Sequence, residues 1–486
     1  VILSGRDDEF SPKFNYKGFQ YVEVQASAPI EMGKDNLTML VMHSDVPPVG
    51  ELKTSNDVLQ KMWAASNNSY LSNLFGYPTD CPQREKNGWT GDAHIAIETG
   101  LYNYDAITVY EKWMNDHIDE QRANGVLPAI IPTAGWGYTW ANGVDWTSTI
   151  AIIPWEVYMF YGDITLPKRM YSRIKLYVDH ITSISNGYLT DWGLGDWIPV
   201  NAQSNLELTT SCYYYTDADI LAKTAALLGR EEDAAKYSQL AENIRDAIND
   251  KYLDRSTGIY ASGTQTELSV PLHRMIVPED MKANVAENLY TKVESADFHL
   301  DVGLNGTKSL LNALSENGYA EAAYKVAAQT TYPSWGWWMV NGYTSFLENW
   351  RIDAAHDISL NHIMFGEVNA WMFKALGGMH PDEGKPGFKN VVLRPHFVDG
   401  LDSFSIRHHT MYGDVVSSWE KRAFGRKVVY KVTVPANCEA TLYLPLKADG
   451  SVPEYSHDHG RFITEESVDG RQVLKFESGT YRIVVK

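Results

Sequence analysis

The chain has 486 residues, a net charge of −19, 44% hydrophobic and 21% charged residues. That length exceeds one ordinary core and points to two to four domains of a folded globular protein. The acidity, with no clustered Lys and Arg, excludes a nucleic-acid partner and disfavours a strongly anionic substrate, and no apolar run approaches the ~20 residues that cross a bilayer, so no membrane partner is expected.

The chain opens VILSGRDDEF, without initiator Met, basic n-region or apolar h-region, as a piece of a longer chain would. Cytoplasmic, periplasmic and secreted locations all stay open, as does the oligomeric state. Residues 1–50 carry alternating runs, Gly18–Val24 and Leu37–Met42, that read as strands at the end of a truncated N-terminal β-sandwich. From 51 to 384 the apolar period turns helical. Segments near 56–75, 92–103, 105–121, 149–161, 167–185, 218–228, 231–248, 280–294, 306–316, 318–329 and 359–376 predict roughly eleven or twelve helices. Gly-, Pro-, Asp- and Trp-rich loops join them. Helix pairs in that number suit an (α/α)6 barrel; a superhelical stack competes, but no repeat of fixed period supports it. From 385 to 486 alternation returns in Lys427–Val434, Ala440–Leu444 and Val473–Phe476, with turn dipeptides Asp449-Gly450 and Asp469-Gly470. That predicts a C-terminal antiparallel β-sandwich. The expected fold class is therefore multidomain α+β.

Fourteen of the 15 Trp lie between Trp63 and Trp371. Such density fits either core packing or a cleft that stacks flat apolar faces, as sugar rings have. Tyr77–Asp92, YPTDCPQREKNGWTGD, is broken by Pro78, Pro82, Gly88 and Gly91 and is a loop. It gathers Asp80, Arg84, Glu85 and Asp92 around Trp89. Either it is an ion-paired surface loop, or Arg84 keeps one carboxylate ionised while a drier one stays protonated as a general acid. Glu348 follows Trp335, Trp337 and Trp338 and sits between Phe346-Leu347 and Trp350; it is a stray exposed acid or a functional one. His362 heads an apolar stretch, as a structural residue or a participant. Trp136, Trp140, Asp145-Trp146 and Asp196-Trp197 pair flat rings with acceptors that suit a pyranose, or are core. Cys81, Cys212 and Cys438 are too far apart for a disulfide framework. His408-His409, His457 and His459 look exposed, and no G-x-S-x-G, phosphate-loop, HExxH or EF-hand pattern occurs. No metal or cofactor is expected.

Asp80–Asp92, DCPQREKNGWTGD, with Tyr332–Gly336, Glu348-Asn349-Trp350, Ser359–Gly366 and Gly387–His396, resembles the inverting α-L-rhamnosidase family of bacterial glycoside hydrolases across nearly the whole chain. The resemblance implies an (α/α)6 barrel that takes a rhamnose-containing carbohydrate at one mouth. It implies Glu85 as general acid and Glu348 as the base that activates water. Asp80, Arg84 and Asp92 would bind the sugar hydroxyls, with Trp89, Trp197 and His362 shaping the pocket; Trp136, Asp145, Trp146 and Trp335, from the Trp-rich segments above, are the further expected substrate-binding residues. The chain departs from the family in lacking a residue that some members carry after Arg84, in Trp337-Trp338 and in Asn349. A glucoamylase-like hydrolase, a uronate lyase or a non-catalytic carbohydrate-binding relative are the alternatives.

Overall fold

The computed structural model describes residues 1–447, 450–457, 463–468 and 471–486. Asp449, Asp469-Gly470 and His459, noted above, lie outside that set. The helices are α1 (Asp57–Ser72), α2 (Thr90–Ile95), α3 (Ile97–Asn103), α4 (Ile107–Glu120), α5 (Val144–Thr147), α6 (Thr149–Tyr161), α7 (Thr165–Ile184), α8 (Leu206–Leu227), α9 (Glu231–Tyr252), α10 (Gln265–His273), α11 (Glu279–Ser295), α12 (Leu304–Glu316), α13 (Ala320–Ala327), α14 (Trp335–Val340) and α15 (Glu367–Trp371). A π-helical turn, Met372–Leu376, continues α15. The strands are β1 (Gly50–Thr54), β2 (Leu253–Asp254), β3 (Ile259–Tyr260), β4 (Met379–Pro381), β5 (Asn390–Leu393), β6 (Ser403–Thr410), β7 (Gly413–Arg422), β8 (Lys427–Val434), β9 (Glu439–Tyr443), β10 (Tyr455–His457), β11 (Ile463–Val468), β12 (Arg471–Phe476) and β13 (Gly479–Val485).

Helices α3, α6, α8, α10, α12 and α15 touch in that order, and α15 returns to α3. This closes an inner ring, and α1, α4, α7, α9, α11 and α13 pack outside it. The chain is an (α/α)6 barrel followed by two sheets. Burial explains the difference between the layers. Twelve successive residues of α12 from Leu304 to Ser315 are buried, whereas α9 buries one stripe, Tyr237, Ala241, Ile244 and Ile248. An inner helix is covered on all sides and need not be amphipathic; an outer one must be.

Two short elements escape the periodic reading. Helix α10 begins at a capping box, Thr264 Oγ1 accepting from Glu267 N, but its nine residues bury nearly every side chain and show no stripe. The stretch 92–103 is two helices broken at Ala96.

Behind the barrel lie a six-stranded sheet, β1-β6-β7-β8-β13-β10, and a five-stranded sheet, β11-β12-β9-β5-β4. Among the described residues all pairs are antiparallel except β5 with β9. The expected N-terminal strands Gly18–Val24 and Leu37–Met42 are not formed; residues 1–46 contain one short 3-10 turn, Lys34–Asn36. The one strand before the barrel, β1, pairs along its whole length with β6, on the far side of the barrel in sequence. The barrel floor meets the sheets through Trp419 Nε1, which donates to Leu376 O at 2.8 Å, and Ser417 Oγ, which donates to Gly377 O at 2.6 Å.

Candidate active site at the barrel mouth

The loop from Asp80 to Trp89 leaves α1 and enters α2. Asp80 folds it, since its Oδ1 accepts Asn87 N at 2.9 Å and its Oδ2 accepts the Cys81 thiol at 2.8 Å. Lys86, at φ 54°, makes the turn that sets Glu85 facing the mouth. Trp89 Nε1 donates to Glu85 Oε2 at 2.7 Å. The opposite wall is a short backbone ladder, Glu348 N to Ser359 O and His362 N to Phe346 O. That ladder takes the first half of the segment expected as a helix over 359–376, so the helix starts only at Glu367.

Arg84 joins the two walls. Its Nη2 donates to Glu348 Oε2 at 2.5 Å and stands 3.9 Å from Glu85 Oε1. Glu348 is 4% exposed, and Ser359 N also donates to its Oε2, at 2.9 Å. Its Oε1 receives no protein hydrogen bond among the described residues. His362 Nε2 is 2.6 Å from Asp92 Oδ1. Burial alone would depress the imidazole, but the adjoining Asp92 charge overrides it and raises the ring to about 9. His362 Nδ1 is buried without a protein partner, a spare donor. Burial lifts Asp80 to about 6, against the opposing pull of His362.

A raised histidine stabilises the fold below its unfolded pKa of ~6.5 and loses that contribution as pH climbs through about 9. Stability measured by urea titration should therefore fall between pH ~6.5 and 9, by on the order of 2 kcal/mol. His362→Asn should flatten that slope; an unchanged slope would show that the imidazolium is not held by Asp92.

The cavity at this mouth has a volume of about 400 Å³ and is lined by Asp80, Glu85, Trp89, Asp92, Trp146, Trp197, Glu348 and His362, all singled out from the sequence. It also takes in Trp140, which belongs to the Trp-rich group read from the sequence, and Ala141, Leu194, Asp357 and Met364, which that reading did not single out. Asp357 and Met364 carried no signal in the sequence.

Four residues expected at the pocket lie elsewhere. Trp335 is buried in the core, its Nε1 donating to Phe365 O at 3.0 Å and its ring against Trp350. It backs the Glu348 wall instead of facing substrate. Asp145 is fully buried; its Oδ2 accepts Gly195 N at 2.6 Å and its two oxygens accept Leu194 N at 3.0 and 3.1 Å. It ties down the loop that presents Leu194 and Trp197. Asp196 turns inward in the same loop to accept Thr266 Oγ1 and the amides of Gly303 and Gly306, so Trp197 turns out. Trp136 lies outside the cavity, stacked on Trp140.

Asp145→Ala should free that loop and raise KM about tenfold with a smaller change in kcat, as loss of a buried multiply bonded acceptor implies. A kcat loss at constant KM would contradict the indirect role.

Asp80, Cys81 and His362 each bring a ligand-type atom within 4.8 Å of the others. Hydrogen bonds account for the cluster: burial pushes the Cys81 thiol up to about 12, so it stays a donor to Asp80, and His362 is bonded to Asp92.

Residues 47–376 match the bacterial alpha-L-rhamnosidase 6 hairpin glycosidase domain. The chain belongs to the bacterial α-L-rhamnosidase family. Residues 378–457 match that family's C-terminal domain and residues 1–43 its concanavalin-like domain. An alpha-L-rhamnosidase of Streptomyces avermitilis is 30% identical over 99% of this chain and 46% of its own length. One from Formosa agariphila is 29% identical over 98% of this chain and 53% of its own. Among solved structures, the alpha-L-rhamnosidase from Dictyoglumus thermophilum superposes with a TM-score of 0.84 at 32% identity, covering 91% of this chain and 51% of that one. The S. avermitilis alpha-L-rhamnosidase complexed with L-rhamnose gives 0.83 at 29%, over 92% and 43%. The chain thus spans about half the length of the relatives it matches.

Proposed function

We propose that the chain, with residues 51–384 as its catalytic unit, hydrolyses terminal α-L-rhamnosides of glycans or glycosides by single-displacement inversion. The observation that carries this is the asymmetry of two glutamates facing one cavity. Glu348 spends one oxygen on Arg84 and Ser359 N and keeps the other free, the arrangement of an ionised base poised over a water. Among the described residues, Glu85 is held only by the indole of Trp89 and the edge of Arg84. In this reading the sugar sits between them. Glu348 Oε1 takes a proton from water as the water attacks the anomeric carbon, while Glu85 protonates the departing oxygen from the other face. His362 and the carboxylates of Asp80 and Asp92 offer donors and acceptors to the sugar hydroxyls, and Trp146 and Trp197 its apolar faces.

Proton NMR of hydrolysis of an aryl α-L-rhamnoside tests it. Initial release of β-L-rhamnose is expected. Initial α-anomer means retention and removes the water-activating role of Glu348; no rhamnose release removes the substrate assignment.

A further inference from the structure

The aromatic lining does not stop at the cavity. It begins at Glu85, whose carboxylate holds Trp89, runs to Trp140 at a centroid distance of 6.0 Å, and continues to Trp136 at 5.0 Å and 23° between planes. Trp140 and Trp136 are 56% and 49% exposed. Two adjoining indoles left half in water form an apolar patch of the kind that marks a binding surface.

The loop that carries them is held in place. Thr133 N donates to Glu120 Oε1 at 3.1 Å, Tyr138 Oη to Glu120 O at 2.6 Å, and the Arg122 guanidinium lies 3.7 Å over the Tyr138 ring. Asn142 Nδ2 donates to both Leu127 O and Tyr138 O at 2.8 Å. Ala134, Gly135, Gly137 and Ala141 all take positive φ, strained for the two alanines, so the backbone is bent to present the rings. Conformational freedom lost on binding is correspondingly small.

The side of the bond on which this array lies follows from the acid. A general acid protonates the oxygen that departs, so what lies outward from Glu85 faces the leaving group, whereas Glu348 and His362 close the opposite wall. Resting on the hydrolase reading above, we infer that Trp140 and Trp136 are a built subsite for the leaving group. It selects substrates that carry, next to the bond being cut, a ring with a flat apolar face, either a second pyranose or an aryl group.

The test compares wild type, Trp136→Ala and Trp136→Phe on methyl α-L-rhamnoside, an α-L-rhamnosyl-glucose disaccharide and an aryl α-L-rhamnoside. Trp136→Ala should lower kcat/KM on a ring-bearing substrate about tenfold relative to its effect on the methyl glycoside, mainly through KM, as loss of a stacking face implies. Trp136→Phe should restore most of it. Selective loss on the disaccharide assigns the subsite to a sugar, on the aryl glycoside to an aglycone, and on both to either ring. An equal factor on all three substrates, or none on any, overturns the inference while the hydrolase assignment stands. Wild type that releases rhamnose from none of the three sinks the hydrolase assignment, and the subsite with it.

Discussion

Glu85→Gln should lose activity in proportion to how poor the leaving group is, and Glu348→Gln should lose it whatever the leaving group. A general acid contributes to the extent that the departing oxygen needs a proton, roughly 10²–10⁴-fold for an alkoxide and far less for a nitrophenolate. The base acts on water, which is the same in every reaction, so its removal costs a similar factor throughout. A plot of log kcat/KM against leaving-group pKa should therefore steepen in Glu85→Gln and shift downward in parallel in Glu348→Gln. Parallel shifts in both would withdraw the acid assignment, and near-normal turnover of either variant would withdraw that residue's role. Glu348→Gln also takes a charge from Arg84, but that side chain is 40% exposed and water can solvate it. Calorimetric binding of L-rhamnose should survive in both variants.

The second large effect concerns stability. Beneath the barrel mouth, Lys308 Nζ bonds Glu98 and Glu367 at 2.6 Å each, and Lys374 Nζ bonds the same two carboxylates at 2.7 Å each. Asn312 donates to Glu367 as well, at 2.9 Å. All four charged groups are nearly sequestered. The net worth of such a square against a hydrophobic replacement is small, but removing one corner leaves a buried charge unpaired. Lys374→Met should cost about 3–5 kcal/mol in urea unfolding followed by Trp fluorescence. Adding Glu98→Gln should recover part of it, because the surplus carboxylate is then gone. A loss below ~1 kcal/mol would show that water reaches the square and screens it.

Much of the site is legible in sequence because its chemistry is local. Asp80 to Asp92 is one loop whose Pro and Gly forbid a helix, so its carboxylates and Arg84 had to converge on something. What a linear pattern cannot carry is which way a side chain turns. Asp145 and Asp196 each precede a Trp of the cavity, yet both carboxylates point inward to backbone amides while the rings point to the mouth. Trp335 shares a segment with Glu348 but lies behind it. The outer helices were readable from their stripes, whereas α10, buried all round, has none. Ser359–Gly366 is apolar enough for a helix, but Ser359 O and His362 N are committed to the ladder with Glu348 and Phe346. Likewise the alternation of Gly18–Val24 fits a strand, but a strand needs an edge to join, and of the residues ahead of the barrel only β1 finds one.

That single pairing has an architectural consequence. Because β1 enters ahead of the barrel and inserts beside β6, beyond it, the helical ring is stapled at both ends to the same sheet, like a bead whose thread is tied back on itself. Cutting the chain at Gly378 would strand Gly50–Thr54 as a naked edge, and moving the sheets to another protein without those five residues would open the border of the six-stranded sheet. The helical ring and the sheets behind it are thus one inheritable unit, to be shuffled or redesigned together.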